Sequence, residues 1–177
     1  MTPQPELGEQ IRQRANFACE YCGISEIDSG GLLTMDHFRP RTLGGGDDLD
    51  NLLYCCYRCN LYKGDYWPEQ PSDTKLWNPR IEPMQLHLRP LADGSLYPIT
   101  PTGELTLQRL RLNRPQLVAN RLRLRAEAEK ERRHVEVRNI LTLLAESHRQ
   151  QTAMHEAQAA MLKEQADLLK FLLQQFA

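Results

Sequence analysis

Cys19-Glu-Tyr-Cys22, Met35-Asp36-His37-Phe-Arg-Pro40, Gly44-Gly45-Gly46, Asn51-Leu52-Leu53 and Cys56-Tyr-Arg-Cys59-Asn60-Leu-Tyr-Lys63 follow one another within residues 19–63. Zinc prefers four tetrahedral ligands, and two Cys-x-x-Cys turns supply four thiolates without strain. The 33 residues between Cys22 and Cys56 exceed the usual ribbon spacing, so a subdomain must be inserted between the two knuckles. Buried free cysteines are the plainer alternative, but two such pairs in one short chain favour a structural zinc held by Cys19, Cys22, Cys56 and Cys59. The fifth cysteine is then Cys55, because Cys56 and Cys59 have the two-residue gap that Cys55 and Cys59 lack.

The 177 residues suffice for one domain with an appendage, and 41% apolar content can bury a core. The net charge of −1 hides an asymmetry: residues 1–75 carry 7 basic and 12 acidic side chains, residues 76–138 carry 12 and 7. Only the local basic block suits a polyanion. The first ten residues are polar and no apolar run reaches membrane-spanning length, so a soluble cytoplasmic protein without a membrane partner is expected. A reducing cytosol also favours cysteines that hold metal over disulfides.

Outward from the central stretch, residues 7–18 read as a short helix against the first knuckle, with Ile11, Ala15 and Ala18 at helical spacing and Phe17 as an anchor. Gly23 is free to take positive φ. Residues 31–37 read as a strand delivering Asp36 and His37 at its end, residues 44–50 as a loop, and residues 51–54 as a second strand antiparallel to the first. The second knuckle opens a helix to about Asp65, which Trp67-Pro68 ends. Residues 68–103 hold 7 of the 11 prolines and read as irregular or short extended segments, with Gly94 and Gly103 at turns. Leu105, Leu107, Leu110 and Leu112 then alternate with polar residues. Pro115 suits the first turn of a new helix, with Asn113 near its cap. From Gln116 onward there is no glycine or proline, and the composition is strongly helical. A stripe from Ile140 to Leu172 keeps 3-4 spacing, but four of its ten positions are Ser or Gln, an imperfect coiled-coil pattern at best.

Asp36 and His37 would point to opposite faces within a strand, but at its end both can reach one site. A carboxylate is a hard ligand for a divalent cation, and a neutral imidazole can take a proton from water. Taken alone, the pair reads better as a surface strand end; its neighbours change the odds. Asn60 offers a carbonyl oxygen to the same metal, Asn51 is placed to bond the backbone of the His37 loop, and Lys63 is placed to meet a phosphate.

With these residues assembled, the chain resembles the HNH endonucleases, in the subset with two Cys-x-x-Cys pairs. The pattern runs through Cys19/Cys22, Asp36-His37-Phe-Arg-Pro40, Gly44-Gly45, Asn51-Leu52, Cys56/Cys59, Asn60 and Lys63, and covers about residues 15–66. The resemblance implies an α+β protein with a zinc-stabilised ββα-metal core, here carrying a long α-helical C-terminal extension. It implies that His37 is the general base and that Asn51 orients it. Asp36 and Asn60 would hold a catalytic divalent ion, Mg2+ or Mn2+, against the scissile phosphate. Asn60 stands where many members have histidine, which bears on the choice of metal more than on the reaction.

A weaker resemblance to segments that follow some HNH cores covers Leu76-Trp77-Asn78-Pro79-Arg80, His87, Gly94, Thr100-Pro-Thr-Gly103, Leu110-Arg-Leu-Asn113-Arg114 and Arg121. It implies that the chain to about Arg125 belongs to the nuclease unit. The expected organisation is a nuclease core with structural zinc (1–75), a Pro-rich accessory segment (76–115) and a helical extension (116–177). Arg109, Arg111, Arg114 and Arg121 lie in a stretch without acids, and together with Lys63 and Arg39 are the expected nucleic-acid contacts. An even alternative is that the arginine block neutralises the acidic core. His134, His148 and His155 read as surface residues. The function expected is metal-dependent cleavage of phosphodiester bonds in DNA. The competing reading is a catalytically inactive, zinc-dependent nucleic-acid-binding or adaptor module. The helical tail is expected to meet a second copy or a partner protein.

Overall fold

The computed structural model describes residues 5–175. Helix α1 (Pro5–Arg14) buries Ile11 completely against Leu52 and Tyr54. It unwinds where Asn16 and Phe17 both take positive φ, 50° and 57°. That turn swings Phe17 outward to 40% exposure, so Ile11 and not Phe17 anchors the helix. The Phe17 ring instead carries the Arg12 guanidinium 4.8 Å from its centre. The chain passes through the first knuckle, with Gly23 at φ 73°, into α2 (Glu26–Ser29), which Ser25 caps by accepting from the Asp28 amide.

Strands β1 (Thr34–His37) and β2 (Leu52–Cys55) pair antiparallel, with Asp36 opposite Leu53 and His37 opposite Leu52. β2 is buried at every position, whereas β1 is partly open to solvent. Helix α3 (Tyr57–Lys63) follows at once, N-capped by the Cys56 Sγ, which accepts from Cys59 N at 3.5 Å. One cysteine thus starts the helix and faces the other thiols. The helix stops at Gly64 (φ 53°), ahead of the expected end near Asp65, and Trp67-Pro68 takes no part in stopping it.

The Pro-rich segment is more regular than its composition suggests. Strands β3 (Leu88–Pro90) and β4 (Leu96–Pro98) form a second hairpin, turning at Gly94 with φ 82°. Helix α4 (Pro101–Arg109) opens with Thr100 as cap, its Oγ1 accepting from Gly103 N at 3.0 Å, and with Pro101 in the first turn. Gly103 is therefore a helix residue and not a turn. It is glycine because a Cβ there would collide with the His87 carbonyl oxygen. At the end of α4, Leu112 N bonds Leu107 O (3.0 Å) and Arg111 N bonds Gln108 O (3.2 Å), the Schellman arrangement. Arg111 holds the left-handed position with φ 50°, where glycine is usual and another residue costs about 1–2 kcal/mol.

Pro115 opens helix α5 (Pro115–Gln175) as expected. Asn113 does not cap it: its Oδ1 accepts from Leu96 N (2.8 Å) and its Nδ2 donates to Leu96 O (2.9 Å), pinning β4. The chain divides into two compact units at Leu124. In the first, Leu76, Trp77, Leu88 and Leu110 share one buried cluster with Cys19, Phe38, Leu53 and Cys59. In the second, from Arg125, the described side chains are exposed except for half-buried Glu129, so His134, His148 and His155 all lie at the surface. Among the described residues no helix is long and apolar enough to cross a membrane.

Candidate active site

The Sγ atoms of Cys19, Cys22, Cys56 and Cys59 all lie within 4.8 Å of one another, with Cys22 and Cys56 3.7 Å apart. Cys19, Cys56 and Cys59 are buried, and Cys55, also buried, stands outside the group. Bonds from the neighbouring thiols, Cys22 foremost, hold the Cys19 thiol well below the usual thiol range. Soft donors, four in number and converging on one point, fit zinc. Arg114 completes the site, its Nη2 3.9 Å from Cys56 Sγ and 4.0 Å from Cys59 Sγ. Burial works against its charge, but Cys59 and the other sulfurs outweigh this and raise its pKa.

Between the knuckles, Glu20 ties the unit together. One carboxylate oxygen accepts from Tyr54 N (2.7 Å) and Arg14 (3.3 Å), the other from Arg80 (2.8 Å). The first knuckle is thereby joined to α1, β2 and the segment after Asn78. Nothing in the Cys-Glu-Tyr-Cys spacing marks Glu20 for that role.

Asp36 and His37, at the end of β1, line one pocket of about 170 Å3 together with Pro40, Arg41, Thr42, Lys63 and Asp65. The Asp36 carboxyl faces α3 and lies beside Lys63, whose Nζ is 3.3 Å from Oδ1 and 3.1 Å from Oδ2. Oδ2 lies outside hydrogen-bonding geometry with that ammonium and accepts no hydrogen bond. Burial raises the Asp36 pKa, with Lys63 opposing the shift. Lys63 is 1% exposed, so it is not placed to meet a phosphate; it sits inside as the partner of Asp36.

His37 Nε2 lies 2.7 Å from Asp47 Oδ1, and Arg41 Nε approaches both, at 3.2 Å and 3.0 Å. The carboxylate is the nearer and charged partner, which favours the tautomer donating from Nε2 and leaves Nδ1 bare. The hydrogen bond from Arg41, with that of His37 second, holds the Asp47 carboxyl down at about 2. Asp47 and Arg41 were not legible as partners of His37: the three aspartates of residues 47–50 read only as turn formers.

Asn51 brackets the loop between the strands. Its Oδ1 accepts from Arg39 N (2.8 Å), and its Nδ2 donates to Arg39 O (3.1 Å) and Gly46 O (2.7 Å). Gly45 has to be glycine for this bracket to close, since a Cβ would strike Arg39 O and come within 2.9 Å of Asn51 Nδ2. Gly45→Ala should lower stability by about 1–3 kcal/mol, as overpacking generally does, and displace His37. Thermal denaturation and zinc content of the variant check this, with zinc expected to remain.

Residues 19–66 match the family model described as HNH endonuclease. This stretch of the chain is an HNH domain. No curated protein and no solved structure matches the chain. In this stretch β1, β2 and α3 form the ββα unit, with Asp36 and His37 at the end of its first strand. Asn60 is not among the residues lining the Asp36–His37 pocket. Its Nδ2 donates to Thr34 Oγ1 at 3.2 Å, on the face of β1 that Asp36 shares two residues on.

The other expected nucleic-acid contacts have partners within the fold. Arg39 bonds Leu43 O and stands over Trp67, 5.4 Å from the ring centre. Arg109 bonds Lys63 O and lies 4.3 Å over Tyr66. Arg121 bonds Gly94 O and Leu112 O. Arg114 serves the thiolates. Much of the arginine block therefore goes to internal carbonyls and sulfurs, whereas Arg111 stacks on Tyr62.

Proposed function

We propose that the chain is a metal-dependent endonuclease that hydrolyses phosphodiester bonds in DNA, working in the cytoplasm. The observation that carries this reading is the convergence of Asp36 and His37 on one pocket of an HNH domain. The Asp36 carboxylate is a hard donor suited to a divalent cation such as Mg2+ or Mn2+, and Asn60, now bonded to Thr34 Oγ1, would have to turn to join it; such an ion would supply charge neutralisation at the phosphate. His37 takes a proton from the attacking water at Nδ1, and Asp47 holds the ring in place through Nε2. Asn51 fixes the loop that carries His37 and excludes slack from its position.

One observation favours the competing reading of an inactive binding module: the Lys63 ammonium already neutralises Asp36 from within. Nicking of supercoiled plasmid with and without added Mg2+ or Mn2+ separates the two. Metal-dependent nicking supports the nuclease, and binding without nicking in any metal supports the module.

We also propose that the helix from Arg125 associates with a second copy of the chain. Ile140, Leu144, Met154, Met161, Leu168 and Leu172 are each at least 45% exposed on a helix that runs unbroken to Gln175. Water does not favour such a stripe uncovered. Sedimentation should show a dimer or larger that truncation after Arg138 weakens; a full-length monomer at high micromolar concentration would contradict this.

A further inference from the structure

A second pocket, of about 590 Å3, shares no lining residue with the Asp36–His37 pocket. Arg58, Arg111 and Arg114 line it with Tyr57 and Tyr62, Ile24 and Leu117 supply apolar surface, and no carboxylate does. Arg114 is committed to the thiolates. Arg58 and Arg111 form no ion pair with any carboxylate among the described residues, and Arg111 lies 4.7 Å over the Tyr62 ring. Tyr57 leaves 68% of its surface exposed.

The backbone at Arg111 supplies an independent sign. The residue occupies the left-handed position that closes α4, where glycine would be unstrained, yet it is arginine and its side chain reaches the pocket. Strain retained at a pocket residue points to use of its side chain. Two forked cations without counter-charge suit a phosphate, and an exposed tyrosine beside apolar walls suits a flat ring. The volume lies in the range of small-molecule sites and well above what a bare phosphate needs.

We propose that this pocket binds a phosphorylated nucleoside, with phosphate on Arg58 and Arg111 and the base against Tyr57. The ligand is either a nucleotide of the strand that the proposed nuclease cuts or a free mononucleotide. The strand source rests on the nuclease reading, whereas the binding itself does not.

Calorimetric titration of full-length, zinc-loaded protein carrying His37→Ala tests this without cleaving the probe. The probes are an eight-nucleotide oligothymidylate, thymidine monophosphate and inorganic phosphate. In that background, Arg58→Ala and Arg111→Gly should each weaken nucleotide binding roughly tenfold, the loss of one charge-assisted bond. Arg111→Gly should melt no lower than Arg111→Ala, since only glycine relieves the backbone. Binding of the oligonucleotide alone supports the strand as source, and binding of the monophosphate as well supports a free nucleotide. Unchanged affinity in the Arg58→Ala/Arg111→Gly double variant would overturn the site, as would no binding of either nucleotide probe. Inorganic phosphate binding as tightly as the monophosphate would overturn the nucleoside. Binding that depends on the two arginines, in a protein whose His37-intact form cuts nothing, would sustain this pocket while removing the nuclease reading.

Discussion

Chelating the zinc proposed for the four thiolates, or replacing Cys59 by serine, is expected to abolish the cooperative fold of the first unit. Zinc binding to small structural sites is worth about 10–16 kcal/mol in apparent free energy, against about 5–15 kcal/mol for the stability of a whole domain. Loss of the metal therefore removes as much as the unit has to lose. The physical cause is visible in the core: Cys19 and Cys59 are 2% and 0% exposed and belong to the same buried cluster as Trp77 and Leu53. Without metal, four crowded sulfurs either stay protonated and ill-packed or repel one another as thiolates. Buried Trp77 reports the outcome, and its emission should shift to the red on chelation with the melting transition lost. Cys55→Ala should keep its zinc, because Cys55 lies outside the four. An unchanged melt in protein shown by elemental analysis to be metal-free would refute the structural role.

His37→Ala is expected to lower cleavage by about 10²–10⁴, the usual loss on deleting a general base. Its zinc content and melting temperature should change little, since the ring is polar-facing and its partners Asp47 and Arg41 retain each other through their own ion pair. Gly45→Ala should differ in kind: it disturbs the Asn51 bracket, so stability and rate fall together. The contrast separates a residue that handles the proton from one that holds the loop.

Much of the HNH core was legible because its elements are fixed by short-range chemistry. Two knuckles fix four sulfurs, the Gly44–Asp50 loop reverses the chain, and β2 is apolar throughout, so the β1–β2 pairing and α3 follow. What was not legible depends on which faces meet. Lys63 stands one turn after Asn60 in sequence, and only the packing of α3 on β1 turns its ammonium onto Asp36. Arg114 reads as one of a basic run, and only the turn between α4 and α5, where it lies, brings it to the sulfurs. Phe17 followed a helical pattern that Asn16 and Phe17 themselves terminate by positive φ. Gly103 looked like punctuation, whereas Thr100 and Pro101 had already begun a helix around it.

His37 is proposed to drive metal-dependent phosphodiester hydrolysis. The most direct measurement is the initial nicking rate of supercoiled DNA by wild type and His37→Ala across a divalent-metal titration. Zinc content and DNA affinity are measured on the same samples. Wild type should show a metal-dependent rate and the variant a fall of about 10²–10⁴, at equal zinc and nearly equal affinity. Equal rates in the two proteins, or no cleavage by wild type in any metal, would contradict it.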